Sequence, residues 1–116
     1  MKRMRKRESK LVSKVKIVVK TFGEYKWETY GEARTKSENI AKALIENKME
    51  SHVQDEGKDI KIIGIFAKNS ANWMLVDLAC ILSGLSSVTL YDTLGAESSA
   101  YIINQCELKT IFCETK

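Results

Sequence analysis

The chain has 116 residues, of which 44% are apolar and 29% charged, and a formal net charge of +4. This length allows one domain with a modest core, and the composition is ordinary for a globular protein. No stretch approaches the roughly 18 consecutive apolar residues of a membrane-spanning helix. Lysines interrupt the first apolar residues, which excludes the pattern of a secretory leader. We therefore expect an intracellular protein, either cytoplasmic or peripheral on an intracellular membrane.

The positive charge is concentrated at the N-terminus. Residues 1–20 hold nine of the 19 basic side chains and one of the 15 acidic ones, so the rest of the chain carries ten basic and 14 acidic groups. We predict a basic, disordered tail over residues 1–13 and a domain over residues 14–116. The tail is either simply solvated or weakly attracted to an anionic membrane surface. Residues 21–116 show no basic stripe, so no nucleic-acid partner is expected.

Three cysteines, Cys80, Cys106 and Cys113, form an odd set without a C-x-x-C pair. Cys80 and Cys113 occur in apolar patterns, so we expect free, buried thiols in a reducing compartment. The single histidine, His52, lies in a polar segment far from the cysteines along the chain. This spacing predicts no metal site.

The first predicted element is a short β-hairpin over residues 14–28. Apolar residues alternate with polar ones over residues 14–20 and again over 24–28, where Tyr25 and Trp27 share one face. Gly23 supplies the turn between the two predicted strands.

An amphipathic helix follows. Thr29 and Glu32 have the spacing of a capping box, and the helix should end near residue 48. Its apolar stripe consists of Ala33, Ser37, Ile40, Ala41 and Leu44. The polar residues 50–59 predict a surface connection.

Residues 60–115 alternate short apolar runs with segments of helical period, which predicts a βαβαβ unit and a parallel sheet. The predicted strands cover residues 61–67, 87–91 and 110–113. The first helix is capped by Asn69 or Ser70, ends at Gly84, and should be buried on more than one side. The second helix covers residues 96–106. The fold class is therefore α/β, a parallel sheet with flanking helices, preceded by the hairpin and the amphipathic helix.

The residues of this unit resemble the N-terminal part of long-chain acyl-CoA synthetases, also called long-chain-fatty-acid–CoA ligases, in the adenylate-forming (AMP-binding) superfamily. The resemblance covers about residues 22–116 and rests on Ile63-Gly64-Ile65-Phe66, Lys68-Asn69-Ser70-Ala71-Asn72-Trp73, Asp77-Leu78-Ala79-Cys80, Ser87-Val88-Thr89-Leu90-Tyr91-Asp92-Thr93-Leu94-Gly95 and Tyr101-Ile102-Ile103-Asn104. It implies a partial N-terminal domain of the adenylate-forming fold. Complete members activate a fatty acid with ATP and Mg²⁺ to an acyl-adenylate and transfer the acyl group to CoA.

The ATP-handling motifs that the resemblance implies do not occur in this sequence. The family uses a Ser/Thr/Gly-rich loop, a Tyr-Gly-Thr-Glu-like segment, and an Asp and a Lys nearer the C-terminus. Walker, Rossmann, nucleophile-elbow and H-E-x-x-H motifs are missing as well. We therefore expect a fragment that is inactive alone, with no catalytic, cofactor-binding or metal-binding residues. Fatty acid, ATP, Mg²⁺ and CoA are expected to bind only a complete family member.

The alternative is a non-catalytic remnant that binds a lipid, a membrane surface or a partner protein. Two pairs of residues could contribute to a binding site. Asp92 and Thr93 follow a predicted parallel strand, where open α/β sheets bind ligands, or else they cap the next helix. Asn72 and Trp73 could line an apolar ligand path, or Trp73 could pack in the core. The unpaired edge of a short sheet also predicts self-association.

Overall fold

The computed structural model describes residues 22–91 and 93–114, which form a four-stranded sheet and three helices. In chain order the elements are α1 (Tyr30–Glu46), β1 (Ser51–Asp55), β2 (Lys58–Phe66), α2 (Ala71–Leu82), β3 (Ser86–Leu90), α3 (Ala96–Gln105) and β4 (Ile111–Cys113).

The capping box at the start of α1 is confirmed. The Glu32 amide donates to the Thr29 hydroxyl at 3.2 Å, and the Thr29 amide donates to the Glu32 carboxylate at 2.7 Å. These bonds, the backbone bond first, lower the pKa of Glu32 below its ordinary value. The predicted apolar stripe of α1 also holds, since its buried residues are Ser37, Ala41 and Leu44.

Strand β2 is the centre of the sheet, because it pairs with each of the other three strands. Its first half pairs antiparallel with β1, with Ser51 opposite Ile62. Its second half pairs in parallel with β3 on one side and with β4 on the other, where Gly64 stands opposite Ile111. The parallel strands therefore have the spatial order β3–β2–β4.

Gly64 allows β4 to approach β2 closely. A Cβ atom at this position would lie 3.0 Å from Leu108 Cδ1 and 3.1 Å from Ile111 Cγ1. The Gly64 amide also donates to the Thr110 carbonyl at 3.0 Å. A larger residue at this position would push the two strands apart.

The βαβαβ unit is confirmed, with each predicted parallel strand and the second helix within a few residues of its observed bounds. Ser70 caps α2 by accepting from the Trp73 amide at 3.1 Å. Helix α2 ends in a Schellman motif, with Gly84 at φ +69° and the Leu85 amide donating to the Cys80 carbonyl at 2.8 Å.

The core lies between the sheet, α1 and α2. Its buried members come from all three layers and are Leu44, Ile63, Ile65, Val76, Cys80 and Leu85. Helix α2 packs on both the sheet and α1, as predicted. Four of its apolar residues nevertheless remain exposed, namely Met74, Leu78, Ile81 and Leu82.

The predicted hairpin over residues 14–28 is wrong in its second half, and residues 14–20 lie outside the described part of the chain. Residues 24–28 are irregular rather than a strand. Tyr25 and Trp27 are 92% and 91% exposed, so their alternating pattern has no apolar surface to cover. Period-2 alternation stabilises a strand only where one face is buried against a neighbour.

The predicted connection over residues 50–59 does lie mostly at the surface, but it is not irregular, because it forms β1 and the start of β2. Glu56 and Gly57, with φ of 46° and 78°, make the two-residue turn between them. Positive φ at both turn residues matches the twist of a tight hairpin, which is why glycine is favoured there. The strand was missed because β1 is polar and mostly exposed.

Candidate functional site

A cleft opens where β2 and β4 end side by side. Phe66 and Cys113 are the last paired residues of these strands, so their carboxyl ends lie at one edge of the sheet. After β2 the chain continues to β3, which pairs with one edge of β2, whereas β4 pairs with the opposite edge. Open α/β sheets bind ligands at such a change of direction. We call this space the β2–β4 cleft.

The cleft has a volume of about 220 Å³ and apolar walls. The walls come from both strands and from the first turns of α2, and they are Ile65, Ala67, Trp73, Val76 and Phe112. Trp73 and Phe112 also pack against the buried core. Packing of Trp73 in the core is therefore confirmed in part, whereas its role in an apolar ligand path stays a prediction.

Polar groups form the rim of the cleft. Ser70, Asn72, Cys113 and Glu114 lie there, at the start of α2 and the end of β4. The Ser70 hydroxyl is engaged as the helix cap, and the Lys68 amide lies 3.5 Å from the Glu114 carboxylate. The positive end of the α2 dipole and a carboxylate thus share this rim.

The residues that line the cleft are mainly apolar. None of the residues that line the cleft forms a hydrogen-bonded pair of a nucleophile and a base. The side chains also include no lysine or arginine that could hold a phosphate.

The thiols differ in their surroundings. Burial, and then the nearby Asp77 carboxylate, raise the pKa of Cys80 to about 11, so this thiol stays protonated at neutral pH. Asp77 is held by the Ser87 hydroxyl, which donates to it at 2.6 Å. The expectation that Cys113 is buried is wrong, because the last residue of β4 is exposed at the rim of the cleft.

The turn after β3 contributes fewer residues to the candidate site than the sequence suggested. Asp92 lies outside the described residues. Thr93 is exposed and does not line the cleft. Helix α3 begins after Gly95, which offers no side-chain cap, so the alternative of capping by Thr93 is wrong. The turn is closed by the Leu94 amide, which donates to the Tyr91 carbonyl at 3.0 Å.

Of the nine residues that line the cleft, sequence reasoning named only Asn72 and Trp73 as candidates and missed the other seven, among them Phe112, Cys113 and Glu114 at the end of β4. The signal for them was present, because parallel strands end at the same edge of a sheet. The strand order that places β4 beside β2 was not available from the sequence.

Residues 22–91 and 93–114 contain neither a grouping of metal ligands nor a helix able to span a membrane. No cluster of three or more His, Cys, Asp or Glu side chains there is arranged to hold a metal ion. None of the helices in these ranges combines the length and apolar character needed to cross a bilayer.

Comparison with known proteins gives a consistent set of relatives. A family described as AMP-binding enzyme matches residues 5–116. Long chain acyl-CoA synthetase 7, peroxisomal, of Arabidopsis thaliana is 37% identical over 93 residues, which are 80% of this chain and 12% of that protein. Long-chain-fatty-acid–CoA ligase 5 of Rattus norvegicus is 36% identical over 91 residues, 78% of this chain and 12% of that protein.

A third relative is fatty acyl-CoA synthetase A of Dictyostelium discoideum. It is 35% identical over 94 residues, which are 81% of this chain and 13% of that protein. The chain thus spans about an eighth of the length of the curated relatives that it matches.

Proposed function

Because this chain belongs to the AMP-binding enzyme family, we propose that it forms part of a long-chain fatty-acid–CoA ligase. The reaction proposed for the complete enzyme joins a fatty acid to ATP as an acyl-adenylate and then transfers the acyl group to CoA. The part played by this chain is structural. It supplies a parallel sheet and helices to the domain that binds the nucleotide.

The observation that carries this proposal is where the family-like segments lie in the fold. Ile63–Phe66 forms the parallel half of β2, and Lys68–Trp73 forms the turn and cap that start α2. Ala79 and Cys80, from the third segment, are 0% and 1% exposed on the inner side of α2. These segments build the framework, which supports a scaffold role rather than a catalytic one.

A chimaera tests the scaffold role directly. Residues 22–114 would replace the matched stretch of the Rattus norvegicus ligase, and acyl-CoA formation would be measured with ATP, Mg²⁺, palmitate and CoA. We expect an active chimaera, because 36% identity over the matched stretch supports a shared fold. A folded chimaera without activity would overturn the proposal.

A matched pair of variants in the chimaera separates folding from chemistry. Ile63→Asp places a carboxylate at a position that is 0% exposed and should abolish both folding and activity. Tyr101→Ser, at a residue that is 65% exposed on α3, should preserve both. The 116-residue chain alone should form no acyl-CoA in the same assay, and product formation by it would contradict the proposed inactivity.

A non-catalytic binding role is the second candidate, and the nine basic side chains of residues 1–20 favour it. If residues 1–13 form a separate tail, they would be attracted to anionic lipid headgroups. Sedimentation with phosphatidylserine vesicles should then carry down the intact chain, but not a chain that lacks residues 2–20. Equal sedimentation of the two chains would remove the tail from this role.

Two smaller proposals concern the cellular location of the protein and its self-association. The free thiols of Cys80, Cys106 and Cys113 support an intracellular location, in the cytoplasm or at the surface of an intracellular membrane. The outer edge of β3 supports self-association through strand pairing, because within the described ranges β3 pairs only with β2. Thr89→Pro, which removes a backbone donor from β3, should weaken such association if the variant melts like the wild type.

A further inference from the structure

A second, larger groove lies between α1 and α2, on the far side of α2 from the sheet. It has a volume of about 480 Å³ and is lined by Tyr30, Ala33, Arg34 and Ser37 of α1 and by Leu78, Ile81 and Leu82 of α2. Ile81 and Leu82 are 65% and 52% exposed. We call this space the α1–α2 groove. Apolar surface of this kind on a small domain is typical of a docking site.

The same chain carries three aromatic side chains that are almost fully exposed in the described part of the structure. Phe22, Tyr25 and Trp27 are 92%, 92% and 91% exposed in the irregular stretch that precedes α1. We call residues 22–27 the aromatic segment. Aromatic side chains are enriched at the centres of protein interfaces, where they fill apolar pockets.

The groove has the chemistry to receive an aromatic side chain. Its floor is mostly aliphatic, and Arg34 stands at its rim with a side chain that is 75% exposed and forms an ion pair with Glu38 at 2.8 Å, which leaves the faces of the guanidinium open. A guanidinium over the face of a Trp or Tyr ring gives a favourable cation–π contact.

The start of α1 directs the segment away from the groove of its own molecule. At about 100° per residue, the groove-lining positions Tyr30, Ala33, Arg34 and Ser37 share one side of α1, whereas Lys36 lies about 110° around the helix from their centre. Glu28 forms an ion pair with Lys36. The capping box fixes the preceding residue, Thr29, in an extended conformation with ψ 157°. The chain therefore leaves α1 on a side that does not face the groove.

We propose that the α1–α2 groove binds the aromatic segment of a second copy of this chain. Reciprocal exchange makes a closed dimer with twofold symmetry, in which each copy donates one segment and covers one groove. The dimer buries the outer side of α2 and the exposed aromatic residues in one interface. This contact is separate from strand pairing at β3.

The oligomeric state of the 116-residue chain tests the proposal, measured by sedimentation equilibrium over a range of concentrations. Trp27→Ser removes the anchor, and Ile81→Asp places a charge in the groove. Each variant should be monomeric at concentrations where the wild type is dimeric. Tyr101→Ser, an equally large change at a residue that is 65% exposed on α3, should dimerise like the wild type.

Mixing the two defective variants gives the sharper result. The Ile81→Asp chain keeps its segment and the Trp27→Ser chain keeps its groove, so the mixture should form a heterodimer through one intact contact. Two monomers that stay separate in the mixture would overturn the exchange. Association of the wild type that survives both substitutions but is lost with Thr89→Pro would assign it to the sheet edge instead and overturn the proposal.

Fluorescence of Trp27 identifies the occupant of the groove. In a Trp73→Phe background Trp27 is the single tryptophan, and its emission should shift to the blue as the dimer forms. A blue-shifted emission at dilutions where the chain is monomeric would show that the segment covers its own groove. A shift that requires lipid vesicles would show a membrane surface as the occupant. Either result would overturn the second copy as partner.

Discussion

The inner and outer faces of α2 consist of the same kinds of residue but have opposite surroundings. On the inner face Val76, Ala79 and Cys80 are 8%, 0% and 1% exposed. On the outer face Met74 and Ile81 are 60% and 65% exposed. Both faces are apolar, so composition alone does not separate them.

The difference shows that a face of α2 is buried only where another element packs against it, however apolar its residues are. The inner face meets β2 and α1, which supply apolar side chains at matching positions. The outer face borders a groove that no described residue fills. A helix that is apolar all round is expected to be covered on every side, and the described residues of the sheet and α1 leave the outer face of α2 exposed.

The largest expected effect comes from placing a charge on each face in turn. Val76→Asp should lower the free energy of unfolding by about 3–5 kcal/mol, because it buries an unpaired carboxylate. This is a large part of the roughly 5–15 kcal/mol of a typical domain. Ile81→Asp should change stability by about 1 kcal/mol or less, since the side chain is exposed.

Urea unfolding at concentrations where the chain is monomeric measures both values. Equal losses of stability for Val76→Asp and Ile81→Asp would show that the outer face is packed in solution, and the comparison between the faces would fail.

A smaller effect on stability is expected when glycine is replaced by alanine, once at a packed position and once at an open one. Gly64→Ala should cost about 1–3 kcal/mol, because the new Cβ overlaps with Leu108 and Ile111 at the β2–β4 contact. Gly31→Ala, in the first turn of α1, should gain up to about 1 kcal/mol from helix propensity, because its Cβ meets nothing closer than 3.9 Å. Thermal melts of the two variants should therefore move in opposite directions.

The smallest effect is a pH dependence that belongs to the inner face alone. The pKa of Cys80 is raised from its ordinary value of 9.0 to about 11 in the folded protein. Well below pH 9 the thiol is protonated in both states and contributes no pH dependence. Between pH 9 and 11 the unfolded chain loses this proton first, so stability falls as pH rises.

The difference between variants isolates this contribution from other groups that titrate in the same range. Stability of Cys80→Ala should fall less steeply between pH 9 and 11 than stability of the wild type. Met74→Ala, on the outer face, should keep the slope of the wild type. Identical slopes for wild type and Cys80→Ala would contradict the burial of this thiol.

The parallel unit could be predicted from the sequence because its signals are local and strong. Ile62, Ile63 and Ile65 form a β-branched run that is buried in the sheet, and Ser70 and Gly84 mark the ends of α2. Each of these features has one dominant structural interpretation. The predicted bounds were therefore close to those observed.

The errors arose where structure depends on a distant partner. Strand β1 is polar and owes its conformation to pairing with β2 and to the turn at Glu56 and Gly57. Residues 24–28 have a better strand pattern but no partner among the described residues, and they are irregular. The β2–β4 cleft depends on strand order, which local patterns do not encode. The candidate site was accordingly less predictable than the fold.

The pairing of β2 with β4 has a consequence for the order of events during folding. Residues 58–62 of β2 pair with β1, which is only a two-residue turn away, and β3 follows β2 after a single helix. The other edge of residues 64–66 pairs with residues 111–113, which are far away along the chain. Contacts between residues far apart in sequence form slowly, because a long loop must close first. During synthesis, when N-terminal parts emerge first, half of one edge of the central strand therefore stays unpaired until nearly all of this chain has been made. That interval is when a chaperone or a neighbouring nascent chain would have access to the strand.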